Sequence, residues 1–258
     1  MALLAVENLE KKFGGLIAVN DISFEVESGE IFTIIGPNGA GKSTLFKLIT
    51  AFTRPTAGRV IFRGEDITRL PAHLVARKGV VRTFQETTIF KEMTVVENVI
   101  VAHHLRSRAS SFGFFVNSPK ARRDEERFRE SANSIIEILG LDAVRNEQAR
   151  NLPHGYLREL GIAIAMAAEP KALLLDEPFS GMNPEETDRV VDMVRGIRDR
   201  GITILLVEHD MRAVMRISDR ILVLNFGSMV ALGTPPEIQN NESVIEAYLG
   251  REDDELGI

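Results

Sequence analysis

The stretch Gly36-Pro37-Asn38-Gly39-Ala40-Gly41-Lys42-Ser43-Thr44 satisfies G-x-x-x-x-G-K-[ST], and its flanks leave little freedom in the fold. Before it, Ile31-Phe32-Thr33-Ile34-Ile35 has the length and β-branched content of a buried strand. After it, Leu45-Phe46-Lys47-Leu48-Ile49 reads as a helix. The glycines let successive backbone N–H groups close around anionic oxygens, and the helix N-terminus adds the positive end of its dipole. Lys42 can reach β- and γ-phosphates, and the Ser43 hydroxyl can complete a Mg²⁺ shell. The segment therefore points to a nucleotide.

Composition narrows the classes around that segment. The 258 residues, 44% hydrophobic and 26% charged, suit one large globular unit or one domain with a subdomain. A formal net charge of −6 lacks the basic surplus of a nucleic-acid binder, so no nucleic-acid partner is expected. There is no cysteine, which removes disulfides and thiol chemistry. The apolar runs are strand-sized and the first residues lack a basic, then apolar, leader, so a soluble, unexported chain is expected, with any membrane role held through a partner.

Leu3 to Leu9 and Ile22 to Val26 alternate like strands around a Gly14-Gly15 turn, which predicts an antiparallel sheet edge. Gly58 to Gly64 adds a strand, Leu70 to Lys78 a helix, and Val80 to Phe84 another strand. From Thr94 to about Ala168 the period becomes helical: Val95 to Leu105, Pro119 to Leu139 and Gly155 to Ala168, with a Ser/Phe-rich loop over Ser107 to Ser118. The mixed charges of Lys120 to Arg127 read as a solvated helix face. Then Ala172 to Leu175, Ile202 to Val207 and Arg220 to Leu224 alternate with the helices Glu185 to Arg200 and Met211 to Ile217. That rhythm predicts a parallel α/β sheet whose ligands sit at the carboxyl ends of its strands.

Two of those strand ends are polar. Leu173-Leu174-Leu175-Asp176-Glu177-Pro178 offers an Asp that can hold Mg²⁺ through water and a Glu that can orient or deprotonate a water; the same pair could instead cap the next helix. Ile204-Leu205-Leu206-Val207-Glu208-His209-Asp210 places an imidazole where it can reach a γ-phosphate.

Together these motifs resemble the ATP-binding cassette family from Leu3 to Leu249. The resemblance implies an α/β fold: a P-loop NTPase (RecA-like) core with an antiparallel β subdomain and an inserted α-helical subdomain. It implies one cassette domain over residues 1–258, with 1–90 and 165–258 as core and β subdomain and 91–164 as helical subdomain. ATP and Mg²⁺ are the implied cofactors. Phe13 matches the aromatic that stacks on adenine, and Gln85 the glutamine joining Mg²⁺ to the helical subdomain. Ser43 and Asp176 complete the metal set, and Glu177, His209 and Lys42 are the implied catalytic residues. Asn183, in Ser180-Gly181-Met182-Asn183, stands where the family commonly has Asp. The signature, usually Leu-Ser-Gly-Gly-Gln, is Leu152-Pro153-His154-Gly155-Tyr156 here. Pro153 brings neither hydroxyl nor N–H, which leaves His154, Gly155 and a helix N-terminus to meet an anion and predicts reduced ATPase activity or a nucleotide-sensing half.

Val81 to Gln85, Met93 to Val99, the Ser107 to Arg123 insertion, Gly233 to Ile238 and Val244 to Gly250 resemble the ATPases of branched-chain amino acid importers; relatives serving urea, amides or lipopolysaccharide export stay open. One chain carries one phosphate loop and one signature, whereas the family needs two of each. The implied partners are a second cassette subunit, transmembrane permease subunits and, indirectly, a solute-binding protein, at the cytoplasmic face of the inner membrane. Thr87, Ile89, Phe90 and Met93 are candidates for the permease groove, or equally for local core.

Overall fold

The computed structural model describes residues 2–83, 89–103 and 119–249, with the backbone alone at 119–122 and 249. The chain groups into two compact units, Met1–Val75 with Leu174–Ile258, and Ala76–Leu173.

The first unit contains two sheets. Strands β1 (Ala2–Phe13) and β2 (Leu16–Glu27) form a long hairpin, joined by β4 (Ala57–Phe62) and β5 (Glu65–Asp66) in the order β2-β1-β4-β5. Alternation drives it: Leu4, Val6 and Leu9 on β1 and Ile22, Phe24 and Val26 on β2 are buried. The register shifts several times between Ala2 and Lys12, so the hairpin runs on past the clean alternation, with Lys11 opposite Val19 and Lys12 opposite Ile17.

The second sheet is built on β3 (Ile31–Ile35), every residue of which is buried. It lies parallel to β8 (Thr203–Val207) on one side and β9 (Arg220–Asn225) on the other. With β10 (Ser228–Gly233) and β7 (Ala172–Asp176) the order is β10-β9-β3-β8-β7. Strand β10 pairs antiparallel with β9, through the Phe226-Gly227 turn. Helices α1 (Lys42–Ile49), α6 (Pro184–Arg198), α7 (Met211–Ile217), α8 (Pro235–Gln239) and α9 (Glu242–Leu249) belong to this unit, as does the start of α2 (Ala72–Lys78). Ile35, Val214, Ile221, Val223, Ile238 and Val244 form one buried cluster, against which Met211, Met215 and Tyr248 pack. The C-terminal helices thereby support the end of β3.

The second unit holds β6 (Val80–Arg82), α3 (Val95–Ala102), α4 (Pro119–Ile138) and α5 (His154–Met166). Phe128, Ala132, Ile135, Ile136 and Leu139, all buried, carry the helical period through α4 into the residue beyond it. On its other face Glu125, Glu126 and Arg129 are exposed, while Asp124 is buried and pairs with Arg127 at 3.5 Å. Thr94 caps α3 reciprocally with Glu97. Buried Asn98 ties the preceding turn to the helix: its Oδ1 accepts the Phe90 N–H at 2.9 Å, and its Nδ2 donates to the carbonyls of Phe90, Met93 and Thr94 at 3.0, 3.3 and 2.9 Å.

Candidate functional site

The phosphate loop leaves the buried end of β3 and enters α1 at Gly41, which sits in the left-handed region at φ 101° and, having no side chain, offers the first turn of α1 no side-chain cap. The N–H groups of a helix's first turn have no intrahelical acceptor and suit an anion. Two glycines are required by close approach. A Cβ on Gly36 would lie 2.1 Å from the Leu224 carbonyl oxygen, and one on Gly41 would lie 2.4 Å from that of Ala18. The loop is clasped from both sides: the Gly227 N–H donates to the Ala40 carbonyl at 3.1 Å, and the Asn20 N–H to the Gly227 carbonyl at 2.8 Å. Beneath it, burial pushes the Tyr248 phenol up to about 12, against a smaller pull from a hydrogen bond with the Gly36 backbone.

Lys42 is buried at the start of α1, and its ammonium donates to the carbonyls of Gly36 at 2.6 Å and Pro37 at 3.0 Å. It thus lies along the inside of the loop. Pro37 is partly exposed, Asn38 and Gly39 are exposed, and Ala40 is buried; Ser43 is exposed and Thr44 partly so. Phe13 closes the β1–β2 hairpin opposite Leu16, half exposed, with the Lys11 ammonium 4.9 Å from the ring centroid.

Sheet order puts the carboxyl ends of β3, β8 and β7 side by side, so Asp176, Glu177 and His209 emerge along the edge that carries the loop. Asp176 is the last residue of β7 and is partly buried. Glu177 turns sharply at φ 48°, and its N–H donates to the Val207 carbonyl at 2.8 Å. Its carboxylate stands 4.0 Å from His209 Nδ1, with 47% of the Glu177 side chain and 59% of the His209 side chain exposed. Neither Asp176 nor Glu177 caps the next helix; Asn183 does, accepting the Glu186 N–H at 2.9 Å while Glu186 accepts the Asn183 N–H at 3.0 Å. Asn and Asp cap equally well, so the exchange at this position keeps the turn intact.

His154 and Gly155 open α5 in the second unit, His154 exposed and Gly155 partly so. Pro153 is the N-cap, gives α5 no side-chain cap, and accepts the Leu157 N–H at 3.2 Å through its carbonyl. Gln85 and Thr87 lie outside the described residues; Ile89 is buried, Met93 partly buried and Phe90 exposed.

Glu208 escapes the sequence reading. It is fully buried, and its carboxylate accepts N–H groups from Phe179, His209 and Asp210. The signal was a carboxylate wedged between an apolar run and an imidazole, but its partner lies 29 residues away.

The donor set suits a nucleoside triphosphate with Mg²⁺: a backbone cradle that tolerates no Cβ at Gly36 or Gly41, a buried ammonium lining it, and a hydroxyl and a carboxylate at its mouth. Among the described residues no His, Cys, Asp and Glu cluster could hold a metal by itself, and no helix is long and apolar enough to cross a membrane. Mg²⁺ bound largely through phosphate oxygens needs no such cluster.

Comparison with known proteins gives concordant matches. Residues 19–180 match the family model described as ABC transporter, and residues 228–254 match that of the branched-chain amino acid ATP-binding cassette transporter. The chain is 47% identical, over 96% of its length and 98% of the relative's, to the high-affinity branched-chain amino acid transport ATP-binding protein LivG of Salmonella typhimurium. It is 45% identical over the same shares to the corresponding protein BraF of Pseudomonas aeruginosa. Among solved structures, an ATP-binding cassette of an ABC transporter in its ADP conformation superimposes with a TM-score of 0.85 at 33% identity, covering 97% of this chain and 99% of the other.

Proposed function

The chain belongs to the ABC transporter family, whose ATP-binding subunits are ATPases coupled to transport, and from that premise we propose that it powers uptake of branched-chain amino acids. The observation that carries this reading is the loop itself, built without room for a Cβ at Gly36 or Gly41 and lined by the buried Lys42 ammonium. The relatives' names and the match over 228–254 support the substrate class.

In this reading the backbone of residues 36 to 44 and Lys42 bind the β- and γ-phosphates, and Phe13 stacks on the adenine. The Ser43 hydroxyl, Asp176 and Gln85 would hold Mg²⁺, which would supply neutralisation of phosphate charge there. Glu177 orients and deprotonates the attacking water. His209, about 4.0 Å from that carboxylate, contacts the γ-phosphate and so reports its presence to the strand end.

His154, Gly155 and the start of α5 face the nucleotide held by a second cassette subunit, so two chains complete two sites. Differential affinity of ATP for the closed pair converts binding into movement of permease subunits. Exposed Phe90 and partly buried Met93 belong to the permease contact, buried Ile89 being local core, and through the permease subunits the chain sits at the cytoplasmic face of the membrane. The described residues outside the signature retain the catalytic set, which favours turnover over a purely regulatory role. Complementation tests the substrate: cells lacking their branched-chain importer ATPase should regain leucine uptake with this chain. Uptake of urea or amides without leucine would reject the assignment.

A further inference from the structure

Glu208 lies between the end of β8 and His209 and is 0% exposed. A carboxyl in that position is unfavourable unless donors meet it, and both oxygens are met. Oε1 accepts the Phe179 N–H at 2.8 Å; Oε2 accepts the His209 N–H at 2.9 Å and the Asp210 N–H at 3.4 Å. One oxygen therefore faces the turn that leaves Glu177, and the other faces the backbone that carries His209. The same two segments meet once more, through the Glu177 N–H and the Val207 carbonyl. Glu177 holds a backbone angle that L-residues rarely adopt, and such turns persist only where their surroundings over-determine them. With about half of each side chain exposed, the backbone beneath Glu177 and His209 governs where they can reach.

We propose that Glu208 is a positioning residue of the ATPase centre, whose two oxygens fix the spacing between the Glu177–Phe179 turn and the His209 backbone so that carboxylate and imidazole are presented together. The proposal rests on the roles given above to Glu177 and His209. A hydroxyl or apolar side chain could not serve both segments, because two acceptors on one rigid group are needed.

Two substitutions in the full chain test it. Glu208→Gln keeps the volume but exchanges one acceptor for an NH₂ group, releasing one segment. Glu208→Asp keeps the charge, and its shorter reach retains the adjacent amides while giving up Phe179. For both, kcat is expected to fall about tenfold or more while the Kd of a fluorescent ATP analogue stays within about threefold. Amide exchange should accelerate at Phe179 in the Asp variant, and at Phe179 or at His209 in the Gln variant. A merely structural role would weaken nucleotide binding and turnover together. Wild-type kcat in either soluble variant, or unchanged exchange at Phe179 in the Asp variant, would overturn the proposal; should the Gln variant not fold, the Asp variant decides. The exchange measurement needs no hydrolysis, so a wild-type chain that binds ATP without turning it over would reject the ATPase reading and leave Glu208 to be judged on exchange alone.

Discussion

Replacing Asn98 by Ala should destabilise the second unit by an amount that can be worked out bond by bond. Asn98 is 1% exposed and makes four side-chain hydrogen bonds, one accepted from Phe90 and three donated to Phe90, Met93 and Thr94. The two Nδ2 hydrogens are shared among those three carbonyls, each of which keeps a backbone N–H, that of Met93 at 3.1 Å, Ala149 at 2.9 Å and Asn98 at 3.0 Å, so the loss is one accepted bond and two donated ones, three net. At about 1 kcal/mol net per bond, the loss is about 3 kcal/mol, or roughly 150-fold in the local opening equilibrium. Amide exchange over residues 90–99 reads that equilibrium directly. The Asn98→Asp variant sharpens the test, because it keeps the acceptor for Phe90 but points a carboxylate at three carbonyl oxygens, and should be at least as destabilising. Nucleotide affinity of the loop, which belongs to the other unit, should change less than about twofold. An Ala variant whose exchange stays within about 0.5 kcal/mol of wild type, or an Asp variant indistinguishable from Asn, would refute the assignment of that energy to Asn98.

Gly36→Ala should lower ATP affinity at least about tenfold in a fluorescent-nucleotide titration, because its Cβ would sit 2.1 Å from a backbone oxygen that cannot swing aside; unaltered binding would show that the loop is not closely clasped. Burial holds the Glu208 carboxyl above its ordinary value of 4.5, against the pull of the three N–H bonds and His209. The folded state then keeps the proton after the unfolded state has lost it, so this stability contribution is full below pH 4.5 and fades as pH rises through the raised value. Chemical denaturation across pH 4 to 7 should therefore show the margin of wild type over Glu208→Gln shrinking as pH rises, and a growing margin would reverse the sign.

What the sequence disclosed follows from the range of the interactions concerned. The strand, loop and helix around Gly36 to Thr44 are a local pattern and stand in the structure as their spacing suggests, whereas the cap of the helix after Asp176 falls to Asn183 and not to the Asp176-Glu177 pair. The hairpin β1–β2 exceeds Leu3 to Leu9 and Ile22 to Val26 because its register shifts break the period-two signal while pairing continues. Strand β10 has no clean alternation, being partly exposed along its length, and its turn uses Phe226 at φ 44° in place of the usual Asn or Gly. Glu208 looks like one more polar residue at a strand tip until Phe179 folds back over it. The expected strand end at Phe84 and helix end at Leu105 lie outside the described residues.

The central claim, a phosphate loop and a Glu177 carboxylate working as an ATPase, is tested most directly by ATP turnover of the purified chain beside Glu177→Gln, with size-exclusion chromatography in ATP and Mg²⁺. Turnover by the wild type, a loss of about a hundredfold or more in the variant, and an ATP-stabilised dimer of the variant are expected. ATP binding without turnover, even beside a partner cassette, or turnover that survives the substitution, would contradict it.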